Sequence, residues 1–359
     1  MEKLREELIH YFSLGEIDAD TFYTDKAYVL GGMRGLYGGQ VVSQSLASAL
    51  LTVGSGFSPH SLHSYFLIAG KRDTRITFCI ERVRDGRNFA SRIVKAKQNG
   101  RIFFTMICSF LKMEQNPSSH QFAMPKVIDP EDPDQILGEN SDTNNRMRVG
   151  NYTVDIDNLI MKSIPVLSRL GVPVDTALRK NFDLGINSYM DKLSANPSPN
   201  SVDEADIRIP YNLRWLKVDL DLSNCHPNVH ICMMTLLSDY RFLGTGSLPH
   251  FWGKNYGKNK SEMMVSLDHS IRIHTPMRAD QWLLFEVTSP RSGNGRGYAE
   301  GKFFDRQGVL VASITQEHLW RTSVTSDKVI PNLQFSLSPP VLVDQNTNSK
   351  STKQIRSKL

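Results

Sequence analysis

No two of the four cysteines, Cys79, Cys108, Cys225 and Cys232, form a CxxC pair, and they lie scattered through the 359 residues. That spacing argues against a disulfide scaffold or a zinc site and favours reduced thiols in an intracellular compartment. Charge of one sign is also scarce. The 42 basic and 37 acidic residues leave a formal charge of +5, which suits an anionic ligand only weakly. No dense Lys/Arg run interleaves with aromatics, so a nucleic-acid surface is not expected. No apolar run approaches the roughly 20 residues of a membrane span. The segment Met1-Glu-Lys-Leu-Arg-Glu-Glu lacks the apolar stretch of a signal peptide. His60 and His63, like His226 and His230, have no third ligand nearby, so no metal is expected. The glycine-rich run 31–39 lacks the spacing of a phosphate loop, and no cofactor is expected. What is present is 40% hydrophobic and 22% charged residues, an ordinary globular balance with length for two domains.

The chain reads as one unit written twice. Leu62-His-Ser-Tyr-Phe-Leu-Ile-Ala-Gly matches Asp268-His-Ser-Ile-Arg-Ile-His-Thr-Pro, which places His63 against His269. Asn99-Gly-Arg-Ile-Phe-Phe-Thr-Met-Ile matches Gln307-Gly-Val-Leu-Val-Ala-Ser-Ile-Thr. Such internal repeats are the sequence mark of a duplicated supersecondary unit. Within each copy β-branched and aromatic runs predict strands, at 76–83, 90–97 and 102–110 and again at 282–287, 296–304 and 309–315. Asp85-Gly86 and Asn99-Gly100 separate the first set, and Asn-Gly between apolar runs signals a hairpin. The segments 38–51 and 229–237 predict helices without charge, apolar on nearly every face, and such helices must be buried all round. A helix wrapped by a curled antiparallel sheet satisfies that. The reading is therefore α+β, with a hotdog repeat over 1–124, a linker over 125–179, a second repeat over 180–335 and a polar tail over 336–359. A short helix is expected at 154–170, and the Ser/Pro/Asn-rich stretch 194–204 reads as a loop.

Three segments of the second copy carry the candidate chemistry: Leu237-Ser-Asp-Tyr-Arg-Phe-Leu, Met264-Val-Ser-Leu-Asp-His-Ser and Val311-Ala-Ser-Ile-Thr-Gln-Glu. With Gly38-Gly-Gln-Val-Val and His60-Ser-Leu-His-Ser-Tyr-Phe-Leu, they resemble the type II acyl-CoA thioesterases from about Leu36 to Arg321, linker excepted. The resemblance implies a double hotdog that hydrolyses fatty acyl-CoA without a cofactor and assembles as a homodimer or larger homo-oligomer. It implies that Asp239, Ser266 and Gln316 hold and activate a water. Asp239 would act as general base at the end of the second helix, with Ser266 and Gln316 orienting the water. A nucleophilic Ser266 is disfavoured, because no G-x-S-x-G elbow surrounds it.

Candidate contacts to substrate are Gly38 and Gly39 at a helix start, His63, His269 and Arg296. Arg87, Arg92, Arg291 and Arg296 are each expected as solvated strand-edge charges before phosphate contacts. Asp268-His269 is no dyad, since neighbouring strand residues face opposite ways. In the first copy His60 stands against Ser266 and Cys108 against Gln316, and no acid occurs between Asp25 and Asp73, so that copy is expected to be silent. The chain ends Ser357-Lys358-Leu359, a peroxisomal address for an import receptor when it is the free carboxyl end. The alternatives are an inert acyl-CoA-binding hotdog protein and an enoyl-CoA hydratase, although the second would want a histidine within 236–243.

Overall fold

The computed structural model describes residues 2–27, 35–114, 118–125, 146–149, 152–155, 160–161, 210–218, 220–251 and 260–323. The chain opens with helix α1 (Glu2–Phe12), whose Leu4, Leu8 and Phe12 recur at four-residue spacing and enter the core. Strands β1 (Gly15–Asp18) and β2 (Thr21–Thr24) precede helix α2 (Gly38–Leu50). Every residue of α2 after Gly38 is buried, as its uncharged sequence requires. Then come β3 (Phe57–Phe66), β4 (Ile76–Asp85), β5 (Phe89–Gln98) and β6 (Arg101–Lys112). Asn99 and Gly100 between β5 and β6 have φ of 49° and 77°, which makes the predicted two-residue hairpin.

Between the copies, β7 (Arg146–Val149) and β8 (Tyr152–Asp155) form a small separate hairpin. The expected helix at 154–170 is therefore wrong at its start, where 154–155 and 160–161 are extended. Alternating Tyr152, Val154 against Met147, Val149 suits a ladder better than a helical stripe. The rest of that helix, the loop at 194–204, and the tail with Ser357, Lys358 and Leu359 lie outside the described residues.

The second copy repeats the first: β9 (Ile160–Met161), β10 (Tyr211–Leu216), helix α3 (Pro227–Ser238), helix α4 (Gly244–Phe251), β11 (Lys260–Ser266), β12 (Asp268–Ile273), β13 (Leu283–Gly293), β14 (Arg296–Asp305) and β15 (Leu310–Ser323). The strands form one sheet in the order β1-β2-β4-β5-β6-β3-β12-β15-β14-β13-β10-β9, with β11 also on β15. The two halves join where β3 and β12 pair antiparallel, with His63 opposite Ser270. The sheet encloses α2 and α3, which pack against each other in a continuous core running through both copies. This is the double hotdog. No helix among the described residues is long and apolar enough to cross a membrane.

One local feature sets the site. Both β11 and β12 pair with β15, Ser266 opposite His318 and Ser270 opposite Thr315. Four steps along one strand thus face three along the other. The extra residue is a bulge, and it turns Ser266 and His269 to the same side of the sheet although they are three apart.

Candidate active site

Asp239 is the C-terminal cap of α3, and the N-terminus of α2 is brought against it. The Gly39 N–H donates to Asp239 Oδ2 at 2.9 Å, and the Tyr37 hydroxyl donates to the Leu236 carbonyl at 2.7 Å. The dipole of α3 disfavours a carboxylate at its own C-terminus, whereas the N-terminus of α2 favours one. The glycine pair has a steric reason. A Cβ at Gly38 would lie 2.7 Å from Asp239 Oδ2, and one at Gly39 would lie 2.5 Å from the Leu236 carbonyl oxygen. Arg241, at φ 52°, then turns the chain away from the helix end.

Gln316 completes the set from β15. Its Nε2 donates to Asp239 Oδ1 at 3.0 Å and to Ser266 Oγ at 2.7 Å, so each amide hydrogen has one acceptor. Desolvation raises the Asp239 carboxyl to about 6, against the lowering pull of the Gln316 and Gly39 hydrogen bonds. The group is therefore ionised at neutral pH yet basic enough to take a proton from water. Ser266 accepts from Gln316 and keeps its own hydrogen to donate.

Behind Gln316 lies His269, fully buried. Its Nδ1 is 3.0 Å from Gln316 Oε1 and its Nε2 is 2.8 Å from Ser238 Oγ. Desolvation lowers this imidazole to about 4, so it is neutral. His269 thus reaches the amide rather than an outer surface. His63 is half-buried on the other side of the sheet, with Nδ1 3.1 Å from Ser270 Oγ. Arg296 is exposed and pairs with Glu317 at 2.9 Å, on the face away from Gln316. Of the five residues considered for substrate contact, Gly38 and Gly39 alone lie against the Asp239 carboxylate.

The first copy presents a different end to its helix. The C-terminal cap of α2 is Leu51 where α3 has Asp239. Cys108 is buried, and desolvation holds its thiol up at about 12. His60 is taken up by Ser109 Oγ at 2.8 Å. Beside Cys108, where the second copy has the small Ala299 next to Gln316, stands Arg92. Expected as a solvated edge charge, Arg92 is instead fully buried. The reason is complete pairing: Nε donates to Thr52 Oγ1, Nη1 to the Arg84 and Ser91 carbonyls, and Nη2 to the Thr52 carbonyl and Asp85 Oδ1. All five donors are satisfied, and the guanidinium closes the end of α2.

Sequence reasoning also missed Tyr37 and Ser238. Each adjoins a motif residue, but neither carries a signal of its own, because Tyr37 acts where the two helices meet and Ser238 where α3 meets β12.

The comparisons with known proteins bear on the family and the fold. The acyl-CoA thioesterase N-terminal domain family matches residues 30–111, and the acyl-CoA thioesterase C-terminal domain family matches residues 172–320. Acyl-coenzyme A thioesterase 8 of Rattus norvegicus is 32% identical over 314 residues, 86% of this chain and 87% of the relative. The chain belongs to the type II acyl-CoA thioesterase family. It is therefore an enzyme, a thioester hydrolase. The peroxisomal acyl-coenzyme A thioester hydrolase 1 of Saccharomyces cerevisiae is 27% identical over 344 residues, 87% of this chain and 93% of the relative. Among solved structures, an acyl-CoA thioesterase II from Mycobacterium marinum superposes with a TM-score of 0.58 at 28% identity, covering 88% of this chain and 98% of that one.

Proposed function

We propose that this thioesterase hydrolyses fatty acyl-CoA to the free fatty acid and coenzyme A by direct attack of a water held by Asp239, Ser266 and Gln316. The observation that carries the reading is the amide of Gln316, whose two hydrogens join Asp239 and Ser266 into one cluster. Asp239 takes a proton from the water as its oxygen bonds to the thioester carbonyl carbon. The tetrahedral intermediate collapses, the C–S bond breaks, and the proton on Asp239 passes to the departing sulfur. Water and thioester are thereby converted to acid and thiol with no further reactant. Ser266 supplies a hydrogen-bond donor rather than the nucleophile. Its cross-strand partner His318 makes no hydrogen bond to it, both ring nitrogens of His318 being without a partner among the described residues. A serine without a base stays a poor nucleophile.

Where Ser357-Lys358-Leu359 is the free carboxyl end, an import receptor that reads it would take the enzyme to the peroxisomal matrix, and the name of the yeast relative supports that location. Assembly into a homodimer or larger homo-oligomer belongs to the same reading. Exposed Tyr65 and Ile107 on the outer side of the joined sheet are consistent with a covered surface.

The test is thiol release from palmitoyl-CoA and a short-chain ester by the purified enzyme and Ser266→Ala. Loss of a water-positioning hydroxyl should lower kcat by roughly ten- to a thousandfold with no acyl-protein in the mass spectrum. An acylated Ser266 would replace this mechanism with a covalent one. No release from either ester would favour the inert binding protein.

A further inference from the structure

The hydrogen bonds around Gln316 can be counted to completion, and they assign a task to a residue outside the Asp239, Ser266 and Gln316 set. A glutamine amide has two ends of nearly equal size, so shape alone does not decide which faces Asp239. Partners decide it. Gln316 Oε1 is an acceptor, so His269 Nδ1, 3.0 Å away, carries the hydrogen between them. In a neutral imidazole Nε2 is then bare and takes the hydrogen of Ser238 Oγ at 2.8 Å. The Thr235 carbonyl, also 2.8 Å from Ser238 Oγ, is the competing acceptor for that hydrogen. With His269 in this tautomer, a flipped amide would set Nε2–H against Nδ1–H, and in either tautomer it would set Oε1 against the Asp239 carboxylate.

We propose that His269 is a positioning residue that holds the Gln316 amide in the orientation aiming both N–H groups at Asp239 and Ser266. The inference rests on the water-activation reading of that cluster. Its mechanistic point lies in the moment after Asp239 takes the proton. A neutral carboxyl no longer demands an N–H donor and could itself donate to Oε1, so the bias that Asp239 supplies is lost. The Nδ1–H of His269 remains and keeps the amide in place until the proton leaves.

The surroundings suit a fixed neutral ring. The Phe242 ring meets it edge-on at 6.1 Å, and the His269 main-chain carbonyl accepts from Ser64 Oγ at 2.8 Å. Asp268 accepts from the Glu317 main-chain N–H, and Asp268, Arg272 and Glu317 face the other side of the sheet. Among the described residues Tyr37 is a further titratable group near Asp239, and burial first, then the Asp239 and Tyr240 charges, hold its hydroxyl well above the usual range.

The experiment compares His269→Asn with His269→Gln. The asparagine amide places an N–H near the Nδ1 position, whereas the longer glutamine places its donor near Nε2. Both lose the ring, so both share the loss of packing, which thermal melts record. His269→Asn is expected to keep kcat within about threefold and the acid limb of the pH–rate profile in place. His269→Gln should lose on the order of ten- to a hundredfold in kcat with little change in KM. Its acid limb should move to higher pH, since a carboxylate that loses a donor binds its proton more tightly. Equal impairment of the two variants, or an unmoved limb in His269→Gln, would overturn the assignment. Full activity in Asp239→Asn would instead remove the water-activation reading beneath it, so the two failures are distinguishable.

Discussion

Replacing Asp239 by Asn changes almost nothing in volume and removes the proposed base. The carboxylate accepts from Gly39 N–H at Oδ2 and from Gln316 Nε2 at Oδ1. An asparagine can accept one of these and must turn its own N–H₂ toward the other donor, which costs about 1–3 kcal/mol for an unmet buried pair. A second effect opposes this. Burial raises the carboxyl from 3.8 to about 6, so at neutral pH the folded state carries a charge that its surroundings disfavour. Holding a carboxylate ionised against a rise of that size costs roughly 3 kcal/mol. The sign is that of a raised acid. The contribution is favourable below about pH 4, declines as pH rises through about 6, and its absence is complete at neutral pH. Asn escapes that cost, so the variant should melt within a few degrees of the wild type. Catalysis should not survive so well. Loss of a general base costs about 10²–10⁴ in kcat. The assay is thiol release from palmitoyl-CoA followed from pH 4.5 to 8. The wild-type rate should climb tenfold per pH unit up to about 6 and then level, and the variant should lack that limb. A variant that keeps kcat within a few fold, or keeps the limb, would refute the assignment of the base.

Two further perturbations test the surrounding structure. In Gly38→Ala the new Cβ meets Asp239 Oδ2 at 2.7 Å and the Phe66 ring at 3.0 Å, so the carboxylate must move. Thiol release should fall on the order of a hundredfold while the melting temperature holds, alanine being the better helix former. An active Gly38→Ala enzyme would show that the close approach of the two helix ends is not needed. Arg92→Met leaves the Thr52 carbonyl without its donor while Asp85 stays solvated, and should cost about 1–3 kcal/mol. Calorimetry should show a lower melting temperature while kcat of the folded fraction stays unchanged, and a selective loss of kcat would give the first copy a share in catalysis.

The two buried helices were legible because each lacks charge, and a charge-free helix has only one stable place, inside a sheet. The hairpin at Asn99-Gly100 was legible because only a short menu of residues accepts left-handed backbone at two adjacent positions. Asp239, Ser266 and Gln316 were nameable from their segments. Their contact was not. It depends on a bulge between Ser266 and Ser270 that no residue type announces, because a bulge is a mismatch between two strands and belongs to neither alone.

The strand assigned to 309–315 runs on to Ser323, since β11 supplies a second partner for its far half. Arg92 was misread for a similar reason. Its chemistry is that of a surface residue, and only the convergence of acceptors from the end of α2, β4 and β5 makes burial tolerable. Local chemistry, then, determined the two buried helices and the strands beside the hairpin turns, that the chain is one unit doubled, and which side chains could handle a proton. The tertiary structure alone decided that the N-terminus of α2 meets the C-terminus of α3. It placed a backbone N–H and a glutamine amide on one carboxylate and set a histidine behind that amide. Those relations join residues up to 200 positions apart, and they arise from packing two helices side by side against one continuous sheet.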